Sequence, residues 1–188
     1  MKARESGMPE EEYWNSFFDA AAVIEKMFGD EGSVVELGCG YGTFTFPAAE
    51  RTSATIYAFD IESDLVERLT RSADAKGISN IVGEVRDFVA DGTGLSPASQ
   101  SHVMLYNLLH IENPEGLVAE AYRILKPDGR LSIMHWRSDI PTPRGPSLDI
   151  RPTPEQCKAL MEKGGFRNVK VIDLQDCCPY HFGVLGIR

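Results

Sequence analysis

Long apolar runs are missing from this chain. No uninterrupted hydrophobic stretch approaches the ~20 residues that cross a bilayer, so a membrane partner is not expected. The opening residues, Met1-Lys2-Ala3-Arg4-Glu5, lead into acids instead of the apolar core of a signal peptide. The cytoplasm is the expected location. Positive charge is also scarce: 19 lysines and arginines face 28 aspartates and glutamates, giving a net charge of −9. A protein that gains affinity by neutralising phosphates carries a basic surface, and no basic cluster stands here, so no nucleic-acid partner is expected. Cysteine is limited to four residues, without the C-x-x-C or Cys/His spacing of a zinc site. Cys177 and Cys178 are adjacent, and neighbouring α-carbons lie about 3.8 Å apart, closer than the ~4.4–6.8 Å a disulfide prefers. Neither a metal nor a disulfide is expected. Repeats and low-complexity tracts are absent. A single strand–helix alternation over 188 residues fits one domain, residues 1–188, long enough for a full core.

Glycine, by contrast, is concentrated where it matters. Val34-Val35-Glu36-Leu37-Gly38-Cys39-Gly40-Tyr41-Gly42-Thr43 runs an apolar strand into an acid and then three glycines at alternate positions. Without a Cβ, the chain can turn tightly there and let a ligand approach the main chain. A helix from Thr43 to Arg51 follows, with Pro47 near its start. Strand, glycine turn and helix form the nucleotide-site arrangement of open α/β sheets. The dinucleotide fingerprint G-x-G-x-x-G is not met, because Thr43 stands where the third glycine would fall, and no G-K-[ST] of a phosphate loop follows. That spacing disfavours a nicotinamide-dependent oxidoreductase.

A second strand, Thr55 to Phe59, ends in Asp60, 24 positions after Glu36. This is near the ~20-residue distance at which a nucleotide site places its ribose-binding carboxylate. Helix Ser63–Lys76 carries the stripe Leu65, Val66 and Leu69. Ile81 to Val85 forms a third strand before Arg86-Asp87-Phe88. Strand four, His102 to Tyr106, continues into Asn107-Leu108-Leu109-His110. A helix opens at Pro114 and runs to Leu125, Lys126-Pro127-Asp128-Gly129 reads as a turn, and Leu131 to His135 is strand five. Thr153-Pro154-Glu155-Gln156 is a capping box for a helix to Lys163. Strands over Val169–Leu174 and Tyr180–Ile187 close the chain.

E-x-G-x-G-x-G at 36–42, the acid Asp60, and Arg123-Ile124-Leu125-Lys126-Pro127-Asp128-Gly129 resemble class I S-adenosylmethionine-dependent methyltransferases over roughly residues 30–136. The resemblance implies an α/β, Rossmann-like three-layer sandwich: a seven-stranded, mostly parallel sheet whose antiparallel last strand inserts between strands five and six. It implies S-adenosylmethionine as cofactor, bound by Glu36, Gly38, Gly40, Gly42, Asp60, Ile61, Asp87, Phe88 and Asn107, with Asp87 at the adenine amino group and Phe88 beside the ring. Two departures from the family stand out. Ser101-His102 replaces the acid many members carry at the start of strand four. Asn107-Leu108-Leu109-His110 replaces the N-P-P-[YF] of enzymes that methylate nucleobase amines, which argues against that substrate. The acidic triad of metal-dependent catechol methyltransferases is not evident either.

The acceptor side is read from what remains. Pro9–Phe28, ended by Phe28-Gly29-Asp30, reads as one helix within an N-terminal cap, residues 1–29, and in small methyltransferases this helix closes over the cofactor. Tyr13, Trp14, Phe17, Phe18, Ala21 and Ala22 form its apolar stripe, and Tyr13, Trp14 and Phe18 are therefore candidate walls, Tyr13 and Trp14 for the substrate. Residues 137–153 form a loop without helix or strand periodicity, stiffened by prolines, at the strand edge where open α/β sheets bind ligands. As a lid, it would hold a small polar, anionic acceptor through Arg144 and Arg151; otherwise Arg137, Arg144 and Arg151 pair with Asp139 and Asp149. His135 heads the lid and His110 follows strand four. Both are candidate bases, as is His181 in the last strand, with His135 the best placed. The expected function is methyl transfer to a small molecule. The alternatives are non-catalytic S-adenosylmethionine binding, and arsenite or thiol methylation through Cys177 and Cys178. Oligomeric state is not legible.

Overall fold

A computed structural model describes residues 7–29 and 32–188; Met1–Glu5 and Asp30 of the readings above lie outside them. Seven strands form one sheet: β1 Val34–Leu37, β2 Ile56–Asp60, β3 Ile81–Val85, β4 Gln100–Tyr106, β5 Leu125–Trp136, β6 Arg167–Ile172 and β7 His181–Ile187. Their order is β3-β2-β1-β4-β5-β7-β6. β1 pairs in parallel with β2 and β4, as do β2 with β3 and β4 with β5, whereas β7 runs antiparallel to both β5 and β6. The chain thus winds outward from β1 to β3 and returns to β4 on the other side. The crevice beyond the carboxyl ends of β1 and β4 is the topological switch point, where open sheets bind ligands.

Strand alternation divides the core into two layers, one on each face of the sheet. Val35, Leu37, Val103, Leu105, Leu131 and Ile133 pack on one face with helices α5 (Pro114–Ile124) and α6 (Pro154–Lys163). Val34, Ile56, Met104, Tyr106 and Met134 pack on the other with α2 (Ala20–Met27) and α3 (Thr45–Arg51). Helix α4 (Ser63–Ala75) buries Leu65, Val66, Leu69 and Ala73, the expected stripe. Pro114 stands at the start of α5 behind Asn113, which accepts from the Gly116 amide, and Thr153–Gln156 makes the expected reciprocal capping box. None of the described helices is long and apolar enough to cross a membrane.

Two elements differ from the sequence reading. The single N-terminal helix is split into α1 (Glu11–Asn15) and α2. Asp19 ends the break by accepting from the Ala22 amide at 3.1 Å, and its own N–H donates to the Cys177 carbonyl at 2.8 Å. An aspartate at an N-cap competes well with helix continuation. The turn at Lys126–Gly129 is instead built into β5, with a register shift against β4 between Gln100 and His102 and Asp128 at φ +64°. The lid carries one short 3₁₀ turn, Leu148–Ile150.

Candidate functional site

The glycine loop leaves β1 at the switch point. Gly38, Gly40 and Gly42 all have positive φ, +77°, +53° and +82°, a region that costs other residues strain. The three differ in what surrounds them. A Cβ on Gly42 would lie 2.4 Å from Leu69 Cδ1, so Gly42 lets α4 pack against the loop. Gly38 and Gly40 instead meet only the far ends of Leu108 and Met8. The Gly40 amide donates to Asp60 Oδ2 at 2.9 Å, and the Glu62 amide donates to Asp60 Oδ1 at 3.1 Å. Asp60, at the end of the adjacent β2, is therefore aimed across the loop with both oxygens oriented and lone pairs to spare. Burial, at 4% exposure, pushes its pKa up, and the loop amides pull it back. Ile61 follows it, half-buried.

Glu36 is nearly inaccessible, at 2% exposure. Its Oε2 accepts from Thr45 Oγ1 at 2.5 Å. Desolvation drives its pKa up to about 8, against the Thr45 bond and with help from the Asp60 charge. Thr45 was not legible as a site residue, because nothing in its local sequence marks it as the partner of an acid on the preceding strand. At the end of β4, Asn107 adopts φ +59° while its N–H donates to the Met134 carbonyl at 2.7 Å. Its side-chain Nδ2 and Oδ1 are both buried without a hydrogen-bond partner among the described residues. Strain and an unsatisfied amide at one position are the marks of a site held for a ligand. Asp87, half-buried beyond β3, accepts from the Ala90 amide at 3.0 Å. Phe88 sits in the core with Val35, Leu37 and Phe59, 9% exposed.

The N-terminal cap and the lid meet over this loop. Tyr41 Oη donates to the Pro9 carbonyl at 2.9 Å, Thr43 Oγ1 bonds Asn15 Oδ1 at 2.8 Å, and Arg68 pairs with Glu11 while lying over the Tyr41 ring. From the lid, Arg144 donates to the Gly7 carbonyl. Trp14 lies edge-on to Trp136, the last residue of β5, with ring centroids 6.2 Å apart. Tyr13 is 47% exposed, packed on Phe17, and forms no wall. Arg151 is also a correction. It is 8% exposed, and it donates to the carbonyls of Pro146, Arg137 and Arg144 at 2.8, 2.8 and 3.2 Å, so it staples the lid from inside. Arg137 takes Asp139 in a two-pronged ion pair, as the structural alternative had it, but among the described residues no arginine bond goes to Asp149. The expected anion site is therefore not assembled.

Among the histidines, His110 Nδ1 lies 3.3 Å from His135 Nε2, and His135 Nδ1 lies 3.2 Å from the Trp136 carbonyl. His135 is fully buried, and desolvation lowers its pKa to about 3. Both of its nitrogens are engaged within the protein. His181 was passed over in favour of His135, yet its two nitrogens are buried and unpartnered among the described residues. Cys177 and Cys178 are core residues beside Met134 and Met27, and burial pushes both thiols up. Without ready thiolate, the arsenite or thiol alternative loses its basis. No group of three His, Cys, Asp or Glu among the described residues is placed to hold a metal ion.

Known proteins share this fold. The chain is 20% identical to a S-adenosylmethionine-dependent methyltransferase of Aquifex aeolicus, with a TM-score of 0.78 over 91% of this chain and 90% of that one. Against a phosphoethanolamine N-methyltransferase of Haemonchus contortus solved with S-adenosyl-L-methionine, the TM-score is 0.70 at 18% identity, over 87% of this chain and 39% of that one. A curated relative, aklanonic acid methyltransferase DauC of Streptomyces sp. (strain C5), is 30% identical over 102 residues, 53% of this chain and 46% of its own. This chain thus spans less than half the length of that relative. The family model described as a methyltransferase domain matches residues 34–129, just over half of the chain and every element from β1 through α5. On that match, the chain belongs to the class I, S-adenosylmethionine-dependent methyltransferase family.

Proposed function

We propose that this chain forms one methyltransferase domain that transfers a methyl group to a small-molecule acceptor. The observation that carries this reading is Asn107: a residue at positive φ whose buried side-chain amide has no partner among the described residues, at the end of β4 beside the β1 strand that leads into the glycine loop. Gly38 and Gly40 would take the cofactor's backbone approach, Asp60 its ribose hydroxyls, Asp87 its adenine amine, and Glu36 with Asn107 its charged amino-acid end. Bound S-adenosylmethionine supplies a methyl group already activated on a sulfonium. The protein's own work is alignment and exclusion of water, a contribution of roughly 7–11 kcal/mol. The cap and lid perform the exclusion.

A small acceptor fits the acidic surface, net charge −9, which disfavours polyphosphate polymers. The relative named for aklanonic acid points the same way. An anionic acceptor held by lid arginines has lost its support, because Arg137, Arg144 and Arg151 are committed within the protein.

The test is single-turnover transfer of labelled methyl to a panel of small acceptors, alongside S-adenosylhomocysteine binding by Asn107→Ala. Transfer to at least one acceptor is expected, with the variant's affinity weakened by about 1–3 kcal/mol for a lost buried hydrogen bond. Binding without transfer to any acceptor would favour a sensor. Unchanged affinity in Asn107→Ala would remove Asn107 from the site.

A further inference from the structure

We infer that His181 receives the reacting hydroxyl of the methyl acceptor, and that this acceptor is a planar aromatic alcohol lodged against Phe18 and Trp136 beneath the N-terminal cap. The inference rests on the methyl-transfer reading above and names its substrate class. His181 opens β7 and pairs with Trp136 at the end of β5. Because β7 is antiparallel, this start lies at the edge where β4 and β5 end, the ligand edge of the sheet.

His181 is 1% exposed, and neither ring nitrogen has a partner among the described residues. A buried imidazole without hydrogen bonds is costly, and a phenylalanine of similar shape would avoid the cost. A side chain retained only for packing has no use for those nitrogens; an acceptor hydroxyl does. Burial lowers the ring's pKa well below its ordinary value, with His135 and Arg151 adding to it, so His181 is neutral. A neutral imidazole has one N–H donor and one bare nitrogen. The bare nitrogen accepts the hydroxyl's hydrogen bond. As the acceptor oxygen forms its bond to the methyl carbon, the methyl–sulfur bond breaks with its electron pair left on sulfur. The hydroxyl proton passes to His181 and then to water.

The surroundings select the ring. His181 lies 4.1 Å from the Trp136 ring and 4.9 Å from Phe18, centroid to centroid, and Trp14 and Phe17 continue the cluster. Offset and edge-on contacts with aromatic walls favour a flat aromatic guest. The wall over this cluster is α1, which buries no residue of its own; besides the Trp14 ring contacts it is held by polar ties, Glu11 to Arg68 and Asn15 to Thr43, with Tyr41 bonded to the Pro9 carbonyl just before it. Such ties break at little cost, so this is the wall that gives way to an acceptor.

Both tryptophans of the chain, Trp14 and Trp136, stand in this cluster, so their fluorescence reports on it. The experiment titrates 4-methylphenol and its methyl ether, 4-methylanisole, into wild type and His181→Phe saturated with S-adenosylhomocysteine. Melting curves are recorded for both proteins. Wild type is expected to prefer the phenol by about tenfold, the worth of one buried hydrogen bond. His181→Phe should lose that preference, keep its S-adenosylhomocysteine affinity, and melt about 2–4 °C higher. A variant that melts lower, or that keeps the preference for the phenol, overturns the assignment. Wild type that binds S-adenosylhomocysteine but shows no preference also overturns it while leaving the cofactor site standing. Wild type that binds no S-adenosylhomocysteine sinks the methyl-transfer reading and this inference with it.

Discussion

Replacing Gly40 by valine is expected to abolish S-adenosylhomocysteine binding, a loss of more than about a hundredfold, or about 2.7 kcal/mol, with the circular dichroism spectrum unchanged. At φ +53° an L-residue pays roughly 1–2 kcal/mol, and valine's second branch at Cβ narrows its options further. The new Cβ would sit 3.2 Å from Met8 Cε, the flexible tip of a side chain, so the fold can yield there. The ligand face cannot yield as cheaply, because the Gly40 amide is what aims Asp60. Relaxing the strain turns that amide and takes the carboxylate with it. Gly38→Val, at φ +77° and 3.1 Å from Leu108 Cδ2, should behave alike. Gly42 is the contrast: its Cβ would press on Leu69 and Phe46, so substitution there lowers stability before it speaks to binding. Calorimetry on the two valine variants checks this, and full binding by both would reduce the loop to a turn.

Glu36→Gln is expected to make the protein more stable than wild type at pH 8 and nearly equal to it at pH 4.5. The buried Glu36 holds its proton up to about pH 8, whereas its ordinary value is 4.5. Between those values the folded protein keeps a proton that the unfolded chain has lost, so stability falls as pH rises. The slope for one such group is about 1.4 kcal/mol per pH unit, and the full window is worth on the order of 4–5 kcal/mol. Below pH 4.5 the acid is protonated in both states and its contribution is fully present. Glutamine imitates the protonated acid and still accepts from Thr45, so it removes the slope. Melting temperatures of both proteins at pH 5 and pH 8 measure the difference; parallel pH profiles would mean that Glu36 ionises normally. The same group couples to the ligand. A cationic amino-acid end would supply the charge that Glu36 lacks, so S-adenosylmethionine binding should release a proton near neutral pH.

The parts of this molecule that the sequence announced are those with local causes. Glycines at 38, 40 and 42 permit the positive φ that this turn uses, a proline behind Asn113 starts a helix, and the Thr153 capping box needs only its own four residues. The order of strands followed from the family resemblance. What stayed hidden depends on partners far along the chain. Arg151 reads as a free guanidinium until Pro146, Arg137 and Arg144 turn their carbonyls toward it. The packing of Phe88 with Val35 and Phe59 was likewise not legible, because those partners lie on other strands. By sequence His135 is better placed than His181, and only the fold gives His135 its partners, His110 and the Trp136 carbonyl, while leaving both His181 nitrogens without one among the described residues. The break between α1 and α2 did have a local signal, Asp19 as an N-cap, but the aromatic stripe running through it obscured the stop.

The central claim is a cofactor site built on the glycine loop and Asp60, and its most direct test is calorimetric titration of S-adenosylhomocysteine and of NAD into wild type and Asp60→Ala. One equivalent of S-adenosylhomocysteine should bind wild type, with no comparable binding of NAD. Asp60→Ala should bind it more weakly by roughly 1.5–3 kcal/mol, as expected for lost charged hydrogen bonds. Equal binding of NAD, or unchanged S-adenosylhomocysteine affinity in a folded Asp60→Ala protein, would contradict the account.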